Sequence, residues 1–127
     1  MDVKKIEWLE PPVLEPGEKH LNCCQKTLIA CRDIIGISEE EAERLGTYFG
    51  GGMRYGGVCG PVSAVLMILG KLYGGDDGSV DFGKDFMIEF AKANNNSWLC
   101  EDIRDEEHTR CDAAIEYAIE YVKKLTS

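Results

Sequence analysis

The sequence predicts an all-α fold, a compact bundle of about five short helices around a central apolar helix, preceded by an extended N-terminal segment. Three observations predict it. Apolar residues recur at helical spacing, strand alternation is nearly absent, and sharp stops at Gly36, Gly50-Gly51-Gly52, Gly74-Gly75 and Asn94-Asn95-Asn96 cut the chain into short pieces. With 127 residues, 44% of them hydrophobic, the chain has enough apolar surface for one domain with its own core.

Residues 1–18 form the extended segment, because Pro11, Pro12 and Pro16 block regular helix and Gly17 follows. Residues 19–127 form the helical domain. Its first helix starts at Asn22, a good N-cap with Gln25 three residues on. Leu21, Cys24, Leu28, Cys31 and Ile35 fall on one face, and Gly36 ends the helix. In the second helix Ser38 and Glu41 make a capping box, acids fill the first turn, and Ala42, Leu45 and Phe49 share a side. It runs into three glycines that a helix interior does not tolerate cheaply.

The third helix takes Gly60 as N-cap and Pro61 at its first position, where a missing N–H costs nothing. Val62, Val65, Leu66 and Leu69 form its stripe. Met67 and Ile68 make it apolar nearly all round, so it is expected to be central and buried. A fourth helix, about 82–93, carries Phe82, Phe86 and Phe90 at four-residue spacing. Ser97 caps a short turn through 98–103. Thr109 with Asp112 caps the last helix, whose Cys111, Ala114, Ile115, Ala118, Val122 and Leu125 share a face.

Charge narrows the function classes. Fourteen basic and 23 acidic side chains give a net charge of −9, which argues against nucleic acid or an anionic membrane as the main partner. The longest apolar run, 62–69, is broken by Ser63 and falls short of the roughly 20 residues a membrane span requires. Residues 1–10 mix Asp2, Lys4, Lys5 and Glu7 among their apolar side chains, unlike a secretory leader. The expectation is a soluble, cytoplasmic protein that is not membrane-embedded.

Six cysteines are too few for a disulfide scaffold, which carries roughly 8–10% or more, yet they are a surplus for a cytosolic domain. Such a surplus points to metal binding or redox chemistry. Cys23 follows the cap at Asn22, and Cys59 precedes Gly60-Pro61. Cys100 lies in the turn opened by Ser97, and Cys111 sits two residues past Thr109. Four cysteines from four segments therefore stand at helix starts, where free N–H groups and partial positive charge favour thiolate. Cys59, before its Gly-Pro start, is expected to have the lowest pKa and to be the nucleophile if the chemistry is metal-free.

Cys24 and Cys31 share the apolar stripe of the first helix and read as core residues. His20 and His108 each precede a site cysteine by three residues but fall outside the caps, so both read as solvated surface. Five glycines between Gly50 and Gly57 read as a tight turn that lets backbone approach the cysteines, since the Lys-Ser/Thr of a P-loop is missing. No Cys-x-x-Cys, calcium loop or nucleophile–base pair is present. Three readings stay open: an iron–sulfur cluster or other thiolate-bound metal for electron transfer, a metal-free thiol–disulfide oxidoreductase or redox sensor, and a non-catalytic accessory module with structural zinc or merely buried cysteines.

The chain also resembles the C_GCAxxG_C_C family of redox-active proteins. The resemblance runs from Asn22 to about Val122. It rests on Asn22-Cys23, on Phe49-Gly50-Gly51-Gly52-Met53-Arg54 leading to Cys59-Gly60, on Leu66-Met67-Ile68-Leu69-Gly70, and on Cys100 and Cys111. It implies that Cys23, Cys59, Cys100 and Cys111 are the family's four cysteines and bind the cofactor or metal. The family's Ala is Pro61 here and its motif Gly is Ala64. The resemblance also implies a redox partner protein and association with a transporter system. By analogy with a similar domain beside haem and an iron–sulfur centre in split-Soret cytochromes, it favours cluster ligation.

Overall fold

A computed structural model of the chain describes residues 7–10, 14–107 and 109–127. Within them lie α1 (Cys23–Ala30), α2 (Arg32–Ile35), α3 (Glu39–Leu45), a glycine turn (Gly52–Gly56), α4 (Gly60–Tyr73), α5 (Ser79–Ala93), α6 (Cys100–Ile103) and α7 (Thr109–Thr126). The all-α expectation is met: β pairing among the described residues is limited to an isolated antiparallel bridge between Val58 and Leu99.

The expected central helix is α4. Val62, Ala64, Val65 and Ile68 are fully buried, and α1, α2, α5 and α7 all pack against it. Leu28 of α1, Phe86 and Phe90 of α5, and Ala114, Ala118 and Val122 of α7 complete the core. Cys24 and Cys31 are fully buried within it, as their stripe predicts. Edge-on contacts of Phe86 with Tyr121 (4.9 Å between ring centres) and Phe90 with Tyr117 (6.0 Å) join α5 to α7. Phe82, the third member of that spacing, is partly exposed and stacks on Tyr73 instead.

The capping box at Asn22 forms as expected. Asn22 Oδ1 accepts from the Gln25 N–H at 2.8 Å, and Gln25 Oε1 accepts from the Asn22 N–H at 2.8 Å. Their amide groups also reach outward, Asn22 Nδ2 to the Gly46 carbonyl and Gln25 Nε2 to the Glu43 carbonyl, both at 2.9 Å. The start of α1 is thereby tied to the end of α3. A Cβ at Gly46 or Gly50 would strike Gln25 or Asn22, so both glycines permit this approach.

Several boundaries differ from expectation. The first helix breaks at Cys31 into α1 and α2. The second ends at Gly46, leaving Phe49 outside it. Cys59 itself is the N-cap of α4, with Gly60 first and Pro61 second, a shift of one residue toward the cysteine. The fourth begins at Ser79, and the N-cap of α6 is Leu99. Ser97 Oγ accepts from the Leu99 N–H and donates to Asp102, bracing the turn from outside the cap position. Thr109 is the first helical residue of α7. Of the N-terminal segment, residues 7–10 run without regular structure beside the glycine turn; Pro11 and Pro12 lie outside the described residues, as does His108.

Candidate functional site

The four cysteines singled out by the caps come from four elements that the fold draws together. Cys23 opens α1, Cys59 caps α4, Cys100 opens α6, and Cys111 lies in the first turn of α7. Cys59 and Cys100 are buried, Cys23 and Cys111 half-buried. The Val58–Leu99 bridge fixes two of them side by side. The Cys59 N–H donates to the Trp98 carbonyl, and the Cys100 N–H donates to the Gly57 carbonyl, each at 2.6 Å. Ordinary helix packing brings α1 against α4, and here Gly60 lets it come closest: a Cβ at Gly60 would collide with Cys23 Sγ and stand 2.8 Å from the Cys24 nitrogen.

The glycine turn supplies the other wall. Gly51, Gly52, Met53 and Arg54 all adopt left-handed backbone, with φ of 61°, 62°, 61° and 70°. The turn closes through the Gly57 N–H to the Gly52 carbonyl at 2.9 Å. A Cβ at Gly52 would lie 2.7 Å from the Cys100 Cβ, so the expected close approach of glycine backbone to a cysteine is present.

Electrostatics show the convergence directly. Burial pushes the Cys23 thiol up, opposed by N–H groups of Gly60, Cys24, Cys23 and Gly51 directed at its sulfur. Burial pushes Cys59 up, and the nearby sulfurs of Cys23, Cys100 and Cys111 push it further; only the Val62 N–H acts the other way. Burial also raises Cys100, which Arg104 lowers and Cys23 and Glu101 raise. Cys111 is pushed up to about 11 by burial, then by Cys100, Cys23 and Asp105. Cys31 feels Lys123 instead of these sulfurs, and so stands apart.

One expectation is corrected here. Cys59 does not have the lowest pKa of the set. The helix start does direct an N–H at its sulfur, but desolvation and three like-charged neighbours outweigh that one donor. Nor do the four sulfurs form a finished ligand set: among the described residues, no three Cys, His, Asp or Glu side chains stand as a group able to hold one metal ion. His20 is exposed on non-helical backbone, as expected.

Sequence reasoning missed Arg104, whose guanidinium favours the thiolates of Cys100 and Cys111. It follows Cys100 by four residues, the spacing that places two side chains on one helix face, and that signal was available. Arg104 also lines a groove of about 690 Å³ with Trp8, Leu9, Tyr55, Val58 and Leu99, directly beside the cysteines.

No helix among the described residues is long and apolar enough to cross a membrane. No curated protein and no solved structure matches the chain. A family model described as "Putative redox-active protein (C_GCAxxG_C_C)" matches residues 21–125, the span that contains all four convergent cysteines. With four sulfurs gathered from α1, α4, α6 and α7 inside that span, the chain belongs to the C_GCAxxG_C_C family of redox-active proteins.

Proposed function

We propose that Cys23, Cys59, Cys100 and Cys111 hold a thiolate-bound metal centre, an iron–sulfur cluster in first place, and that the protein transfers electrons to a partner protein. The observation that carries this reading is the convergence of four thiols from four elements, each raising the pKa of others. Crowded thiolates repel one another unless a cation stands among them, and soft sulfur donors suit iron and zinc. A single tetrahedral zinc, with Zn–S of about 2.3 Å, needs its four sulfurs within about 4 Å of one another. The absence of such a ready group among the described residues favours a larger inorganic core over one ion.

When bound, such a cluster supplies one-electron transfer. The chain's own part is to keep Cys59 and Cys100 from water, to aim the Gly51 and Gly60 N–H groups at Cys23, and to set Arg104 beside Cys100 and Cys111. Six unpaired cysteines support a reducing, cytoplasmic setting. The net charge of −9 suits a partner with a basic docking face. The transporter link rests on the resemblance alone.

Purification without oxygen should give coloured protein containing both iron and acid-labile sulfide. Serine at 23, 59, 100 or 111 should abolish that content, while Cys31→Ser retains it. Colourless protein with neither iron nor sulfide would overturn the cluster reading, and one zinc per chain would replace it with a structural site. Metal-free thiol–disulfide chemistry with Cys59 as nucleophile is the weaker rival, because its raised pKa leaves little thiolate at neutral pH.

A further inference from the structure

Arg54 stands in a conformation that costs an L-residue energy and that glycine would adopt freely, with φ of 70° in a turn already rich in glycine. What the position gains from arginine is reach. Arg54 Nη2 donates to the Leu9 carbonyl at 2.8 Å, and the Leu9 N–H donates back to the Arg54 carbonyl at 2.6 Å. The two bonds make a closed clamp between segments far apart in sequence. Leu9 also caps the turn physically, since its Cδ1 lies 3.1 Å from where a Gly51 Cβ would be. Gly51, at the other end of the same left-handed run, is one of the N–H groups directed at Cys23.

We propose that Arg54 is a positioning residue for Cys23, clamping Leu9 onto the left-handed turn so that the Gly51 N–H stays on the Cys23 sulfur. The clamp acts only through the backbone it holds, and Arg54 itself touches no sulfur. Its functional weight rests on Cys23 belonging to the working site. The test below reads an amide of the reduced, metal-free chain, so it can fail without the cluster reading failing, and the reverse.

The full chain, labelled with ¹⁵N, is followed by amide hydrogen exchange residue by residue. In Arg54→Gly the Gly51 amide should exchange about tenfold faster, the scale of one lost hydrogen bond. The Gly60 amide, aimed at the same sulfur from α4, should keep its protection. Cys23→Ala should speed Gly51 exchange in the unaltered chain and add nothing in Arg54→Gly. Unchanged Gly51 protection in Arg54→Gly overturns the proposal. So does a loss shared equally by Gly51 and Gly60, which would mean that Arg54 supports the fold in general. Should Arg54→Gly fail to fold, Leu9→Pro removes the other half of the clamp from a segment outside the core and carries the same expectations.

Discussion

A methyl group at position 60 has nowhere to go, because Cys23 Sγ and the Cys24 nitrogen already occupy the space. The obstacle includes backbone, so it cannot swing aside. Gly60→Ala should therefore push α1 off α4, costing about 1–3 kcal/mol as overpacking does. It should also separate Cys23 from Cys59. Urea unfolding checks the first effect, and loss of iron binding at unchanged fold checks the second. If Gly60→Ala kept wild-type stability and metal content, the close approach at this residue would have no consequence. Ala64, where the family motif has glycine, shows the contrasting case: its methyl is fully buried in the core and occupies space that α4 has available.

At the level of elements, the cap at Asn22 does two jobs. It satisfies the start of α1 and holds the end of α3 through its side-chain amide. Asn22→Ala should lower stability by about 1–2 kcal/mol, above the usual loss of one cap, because the bond to Gly46 goes too. Asn22→Asp, which keeps the accepting oxygen and loses the donating nitrogen, should recover only part of it; full recovery by Asp would show that the Gly46 bond contributes nothing.

This element also marks what the sequence made legible. Helix starts at Asn22 and Ser38 were readable because capping is a matter of three or four neighbouring residues. The same locality exposed the four site cysteines. The left-handed run at Met53 and Arg54 was not readable, since neither residue prefers that backbone and Leu9 helps to hold it from 45 residues away. The pairing of Cys59 with Cys100 through the Val58–Leu99 bridge was hidden for the same reason. The misjudged pKa of Cys59 belongs here as well: the helix start was local and visible, the three sulfurs that overrule it were not.

Across the whole molecule the six thiols act together on stability. All six have raised pKa values when folded, Cys24 reaching about 12 and Cys111 about 11, against an ordinary value of 9.0. The unfolded chain surrenders thiol protons near pH 9 while the folded chain keeps them. The thiol contribution to stability is thus complete below pH 9 and is lost as pH rises toward 11–12. Urea midpoints of the reduced, metal-free protein should fall steadily from about pH 8.5 to about pH 10, before the two raised tyrosines join the trend. A flat profile over that interval would contradict the burial of the thiols. Bound metal should flatten it, because the ligands are then already deprotonated.

The gathering of sulfurs from α1, α4, α6 and α7 has a kinetic consequence. Cys23 meets Cys59, and Cys59 meets Cys100, only after long stretches of chain have closed, and the entropy of closure is lost before those contacts return anything. The site accordingly belongs to the last stage of folding and to the first stage of coming apart. A group bound there would leave the folding rate almost unaltered and slow unfolding, making the occupied protein long-lived more than quick to form.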